Sequence, residues 1–351
     1  MPGFEGFLER ADLVRLACRD DVESRLIVRD GRNWTVRSGP FRRREFAVLP
    51  ARNWTLLVQG VNLHCEAGAR LLARFDFLPH ARLDDLMVSY AAPGGGVGPH
   101  FDSYDVFLLQ GSGRRRWQVS RQRDLDLVQG APLKILRRFR PEQAWTLEAG
   151  DMLYLPPRYA HKGVALDECT TYSIGFRAPA LKELAARFLE DFADRIEFAG
   201  LYADPDLKPT GNPGRIGRGL VRVTEDTLAR LRFKRSDVED FLGRYFTEPK
   251  AMVYFDPPEI PIARRAFETA VARRGAVLDR KSLMLYGASA VYINGECTRY
   301  PRGVPATLGR LADRRHLPPA RLSPPVAGVL CDWHTSGYLH LPDTDLEGNE
   351  T

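Results

Sequence analysis

Cysteine is scarce: Cys18, Cys65, Cys169, Cys297 and Cys331 are the only five in 351 residues, widely scattered and without a CxxC pair. Their odd number and spacing exclude a disulfide framework and a cysteine-built zinc site, and suit a reducing compartment. Long apolar runs are missing as well. No uninterrupted stretch approaches membrane-spanning length, and the first residues show no basic start followed by an apolar core. The expectation is a soluble, cytoplasmic protein with no membrane partner. There is no repeat of fixed period and no long low-complexity segment. With 44% hydrophobic and 27% charged residues, the chain has ample apolar surface for a core, which excludes a mainly disordered protein.

What the chain does carry is positive charge. The formal net charge of +6 rests mostly on arginine, clustered at Arg114 to Arg116, at Arg137, Arg138 and Arg140, and between Arg215 and Arg235. Such clusters attract polyanions, so RNA contact is one expectation. The plainer one is a solvated basic face, because charge governs association rather than fold.

The length predicts a main domain with smaller units attached. In the first half, β-like runs recur at Ser24 to Val28, Trp54 to Val61, Asp85 to Tyr90, Tyr104 to Leu109, Arg115 to Ser120, Met152 to Leu155 and Thr171 to Phe176. Turn residues separate them, a spacing that predicts a sandwich or barrel. From Pro179 the period changes: Leu181, Leu184, Ala185, Phe188, Leu189 and Phe192 mark an amphipathic helix. After a Pro/Gly-rich stretch, Asp204 to Gly219, a helical pattern returns through Leu228, Leu231, Val238, Phe241, Leu242 and Tyr245. Residues 180–250 are therefore read as a helical connector, with apolar faces extensive enough to support a homodimer. Beyond Ala251 the reading is a small α+β unit. It has a helix near Ile262 to Arg274, strands at Leu283 to Tyr286 and Ala290 to Ile293, a turn at Asn294-Gly295, and another helix from Thr307.

His100 and Asp102 lie two apart in a segment read as strand, so both side chains face one way and can reach one ion. A third ligand is available in His161, just past Pro156-Pro157, where another strand would start beside the first. Two histidines and one carboxylate form the facial triad of non-haem iron(II) oxygenases, which leaves coordination positions open. An isolated HxD pair would more simply be a polar turn. The glycine-rich approach Gly94 to Gly98 and the placement of His161 favour the metal site.

The segments Gly94 to Phe107, Gln110 to Trp117, Tyr154 to Gly163 and Tyr172 to Pro179 resemble the bacterial ribosomal oxygenases, a JmjC-type cupin branch. Asp84 to Met87 and Val291 to Glu296 extend the likeness over most of the chain. The resemblance implies an α+β chain: a double-stranded β-helix (residues 1–179, the cupin/JmjC jelly roll), a helical dimerisation region (180–250) and a C-terminal winged-helix domain (251–351). It implies iron(II), 2-oxoglutarate as co-substrate and dioxygen, and hydroxylation of the β-carbon of an arginine in the sixteenth large-subunit ribosomal protein. Family members usually carry additional sequence, with a Trp and basic residues, ahead of the segment matched by Pro2 to Phe7. Its absence here is read as a late start or a shortened variant that puts the first strand in question.

In JmjC-type relatives a basic residue fifteen positions after the first histidine holds the far carboxylate of 2-oxoglutarate, a place taken here by Arg115. Its planar fork matches a carboxylate, while Arg114 and Arg116 should point the other way along a strand. Ser173 is a second, hydroxyl candidate for that pocket. Asp84, Asp85 and Asp105 have the charge to meet an arginine substrate, but are read as surface or capping groups. Three alternatives stand beside the hydroxylase: a JmjC demethylase, a small-molecule hydroxylase, and a non-catalytic metal-binding cupin with a nucleic-acid-binding tail.

Overall fold

Two-residue alternation of apolar side chains builds the first half into antiparallel sheets. The computed structural model describes residues 1–31 and 33–342; the last part of the expected C-terminal unit, 343–351, lies outside the described residues. Helix α1 (Arg10–Ala17) precedes β1 (Ser24–Asp30), β2 (Asn33–Ser38), α2 (Arg43–Ala47), β3 (Trp54–Val58), α3 (Val61–His64) and α4 (Glu66–Ala73). Then come β4 (Leu83–Ala91), β5 (Val106–Ser112), β6 (Arg115–Ser120), β7 (Gln143–Leu147), β8 (Met152–Leu155), β9 (Ala160–Ala165) and β10 (Cys169–Phe176). Seven strands form one sheet in the order β2-β1-β3-β4-β10-β5-β8, and three form a second in the order β7-β6-β9.

The two faces of the large sheet do different work. Leu56, Leu86, Val88, Tyr172, Ile174 and Phe176 point outward and join Leu13, Leu16 and Ala17 of α1 in the main core. Burying each large apolar side chain there contributes about 1.5–3 kcal/mol. Their alternation partners, among them Asp85, Met87, Ser89, Ser173 and Gly175, face a cavity whose other wall is the small sheet. This is the cupin arrangement, with a packed convex face and a lined interior.

The tail holds α5 (Leu181–Ala193), α6 (Arg218–Leu228), α7 (Arg235–Thr247), α8 (Arg264–Arg274), β11 (Ala276–Leu278), β12 (Met284–Tyr286), β13 (Ala290–Ile293) and β14 (Glu296–Arg299). It ends with α9 (Ala306–Arg314), β15 (His316–Leu317), α10 (Pro324–Thr335) and β16 (Leu339–His340). The strands form two three-stranded sheets, β15-β11-β16 and β12-β13-β14. A second core, including Phe267, Val271, Leu308, Leu311, Leu330 and Trp333, packs α8, α9 and α10 on them. Phe188 and Phe192 of α5 meet Phe233, and Phe188 also meets Phe241 of α7, while Leu181 and Leu189 on the same helix are exposed.

Three expectations change. The run Trp54 to Val61 is strand only to Val58, because Gly60, at φ 62°, turns the chain into α3. Tyr104 and Asp105 precede β5 rather than open it. His100 and Asp102 lie not in a strand but in a loop, where His100 makes a single bridge to His161. The first strand is well formed: β1 pairs with β2 on one side and β3 on the other.

Candidate metal centre

The backbone holds the two histidines together. His100 N–H donates to the His161 carbonyl at 2.9 Å, and His161 N–H donates back to His100 at 2.7 Å. Arg158 N–H anchors the Asp102 carbonyl at 2.7 Å, so the loop carrying the HxD pair is tied to the entry of β9 at both residues. The glycines permit this approach: a Cβ on Gly96 would collide with the Gly163 carbonyl, and one on Gly163 would lie 2.8 Å from the Trp117 ring.

The side chains converge. His100, Asp102 and His161 each offer a ligand atom within 4.8 Å of the others, and the imidazole centroids are 4.1 Å apart. His100 Nδ1 lies 3.1 Å from the Gly98 carbonyl and His161 Nδ1 2.9 Å from that of Tyr159. A carbonyl only accepts, so each Nδ1 carries the proton and leaves Nε2 as the free donor nitrogen. Burial, reinforced by His100, pushes His161 down to about 3, so its 3.6 Å approach to Asp102 joins a neutral imidazole to a carboxyl rather than an ion pair. Burial pushes Asp102 up, opposed by His100 and Lys134. Two imidazoles, each with Nε2 free, and a carboxyl group are a donor set that fits iron(II) with open positions.

A cavity of about 510 Å³ surrounds the cluster. Arg115 enters it from β6, is only 5% exposed, lies over the Trp117 ring at 5.7 Å from its centroid, and among the described residues makes one long hydrogen bond, Nη1 to Ser89 Oγ at 3.4 Å. Its Nε and Nη2 are buried without a hydrogen-bond partner among the described residues. Arg114 points away and pairs with Asp167 at 2.8 Å, and Arg116 is exposed. Ser173 is buried on β10 between Met87 and Leu108 and lines the same cavity.

Sequence reasoning passed over four residues in this wall. Ser89 and Asp85 share the inward face of β4 with Met87, and Asp85 is no surface group: its side chain is 13% exposed and burial pushes its carboxyl up. Asp105, by contrast, is not among the cavity's lining residues and pairs with Tyr154 and Arg82. Tyr104 is pushed up by burial and by Asp102. Arg25 of β1 lines the cavity with its own Nε lacking a partner. Inward alternation from Arg115 or Ser173 across the sheet was the signal available for Ser89 and Asp85.

Fold and site together define a JmjC-type cupin oxygenase. Residues 70–184 match the JmjC domain and residues 230–340 match the ROXA-like winged helix. The ribosomal protein uL16 3-hydroxylase of Escherichia coli is 36% identical over 302 residues, 84% of this chain and 80% of that protein. The X-ray structure of E. coli ycfD superposes with a TM-score of 0.86 at 32% identity, covering 97% of this chain and 92% of that one. A second structure of that ribosomal oxygenase, in complex with cobalt and 2-oxoglutarate, matches with a TM-score of 0.82 at the same identity and coverage. The chain belongs to the JmjC ribosomal oxygenase family.

Proposed function

We propose that this protein is an iron(II)- and 2-oxoglutarate-dependent hydroxylase of the β-carbon of an arginine in large-subunit ribosomal protein uL16, the protein named for its E. coli relative. His100, Asp102 and His161 would hold the iron, Arg115 the far carboxylate of 2-oxoglutarate, and Ser173 would border that pocket. Iron(II) with 2-oxoglutarate and dioxygen supplies the oxidising power to hydroxylate an unactivated carbon, releasing succinate and carbon dioxide. The chain's own part is placement: Trp117 and the inward faces of both sheets shield the cluster, and Asp85 offers a carboxylate to an incoming guanidinium.

The observation that carries this reading is Arg115, a buried guanidinium with two nitrogens unpartnered in the cavity that holds the cluster. Leaving such donors unsatisfied is costly, and a cupin that only stored a metal would have no use for them. The test is incubation with iron(II), 2-oxoglutarate and uL16, following succinate and the mass of uL16 peptides. Gain of one oxygen on an arginine is expected; succinate formation with no change to any arginine would refute the substrate.

The exposed Leu181, Leu189, Leu201 and Leu228 of the 180–250 region support a homodimer in which a second copy covers them. A ribosomal substrate supports a cytoplasmic location; among the described residues no helix is long and apolar enough to cross a membrane. RNA contact would fall to Arg264, Arg265, Arg273, Arg274, Arg310 and Arg314 on α8 and α9, since α10 carries no lysine or arginine.

A further inference from the structure

One side chain from beyond the barrel reaches the cavity of the metal cluster. Lys250, three residues past the end of α7, places Nζ 2.9 Å from Asp84 Oδ1 and 3.9 Å from Asp85 Oδ2. It lines the cavity with those two acids and with Gly175. Asp84 has a second cation, Arg177, at 3.3 Å. Asp85 Oδ2 also accepts the Gly60 N–H at 2.9 Å; among the described residues Lys250 is the one cation within 4 Å of this carboxylate. Asp85 Oδ1 has no hydrogen bond among the described residues and lies beside Gly175, where an added Cβ would sit 3.6 Å from it.

We propose that Lys250 is a tethered competitor for the cation seat at Asp84 and Asp85, and that it thereby selects arginine over lysine in the substrate. This rests on the reading that the target residue is an arginine. A substrate lysine brings the same ammonium that is already in place, and the resident one has the advantage of an intramolecular effective concentration. A guanidinium brings a planar fork of five donors, able to engage the free Asp85 oxygen and Asp84 together. The Lys250 side chain is 49% exposed, so it can swing into solvent when displaced. While no substrate is bound, its charge opposes the uptake of a proton by buried Asp85, which burial favours.

The test is binding, by anisotropy, of a fluorescent uL16 peptide carrying arginine or, in its twin, lysine at the target position. Metal-free wild type, Lys250→Met and Lys250→Arg are compared, so the readout needs no turnover. Lys250→Met should tighten both peptides, the lysine twin by about fivefold more, narrowing the arginine preference. Lys250→Arg should weaken the arginine peptide, because the resident group then has the fork itself. A purely structural ion pair predicts the reverse: Lys250→Arg like wild type, and Lys250→Met weaker or unchanged. Either result overturns the proposal. Wild type showing no preference for the arginine peptide would overturn it too. The arginine reading itself stands or falls separately, on whether active wild type hydroxylates uL16.

Discussion

Replacing Arg115 by methionine should move two quantities in opposite senses. Methionine keeps most of the stem's length and apolar volume but removes a guanidinium whose Nε and Nη2 are buried without partners. In the ligand-free protein each orphaned donor costs about 1–3 kcal/mol, so the variant should melt no lower than wild type. With 2-oxoglutarate bound, the same group would make charge-assisted hydrogen bonds of roughly 1.5–3 kcal/mol if it is the clamp proposed above. Their loss should raise KM for 2-oxoglutarate about 10- to 150-fold. At a concentration one hundred times the wild-type Kd, the co-substrate stabilises wild type by about 2.7 kcal/mol; a hundredfold loss of affinity leaves about 0.4 kcal/mol. The assay is thermal melting with cobalt bound, with and without 2-oxoglutarate, beside succinate release with iron. Arg114→Ala, which breaks only an exposed pair with Asp167, and Arg25→Ala, on the far wall, are the controls. An unchanged KM in Arg115→Met, or a larger effect in either control, would refute the clamp.

Alanine at His100, Asp102 or His161 should abolish succinate release with melting within a few degrees of wild type, since each would remove a proposed ligand and no core; wild-type turnover by Asp102→Ala would count against the cluster. The metal-free protein should lose stability in mild acid. His161 is held near 3 in the fold but near 6.5 when unfolded, so the unfolded state binds the extra proton between those values, and stability falls by roughly 1.4 kcal/mol per pH unit below about 6.5. Denaturant titrations at pH 7 and pH 5 should show this slope flattened in His161→Gln. Light scattering at micromolar concentration should give twice the chain mass, and a monomer there would sink the dimer.

Much of this was legible in the chain because inward and outward positions alternate. Arg115 was located through the family resemblance, by its place fifteen residues after His100, and the strand's alternation agrees with it, since Trp117 and Val119 are buried beside it and Arg114 and Arg116 are not. The tail helices showed in their apolar period. Edge strands did not: β7 is Gln143–Leu147, exposed at four of five residues, and β2 has only Trp34 and Val36 to mark its alternation, too short an apolar rhythm to read. The HxD pair was placed in a strand because a spacing of two suits one, yet a loop fastened by one bridge gives the same convergence. Asp85 was misjudged for a different reason. Acidic residues are usually outside, and only the sheet order, which sets β4 beside β10, turns this one toward the cluster.

The paired backbone hydrogen bonds between His100 and His161 bear on which ion the protein carries. A site assembled only when metal arrives can couple binding to folding and reject ions that fold it badly. Here the two imidazoles are already in position, so chelation should leave a folded protein ready to be reloaded. Such a socket has little means of preferring iron(II) by shape. Cobalt, nickel, copper and zinc all stand above iron(II) in intrinsic affinity for nitrogen and oxygen donors. Occupancy by iron is then decided by what the surroundings supply, and an excess of zinc would silence the protein without unfolding it.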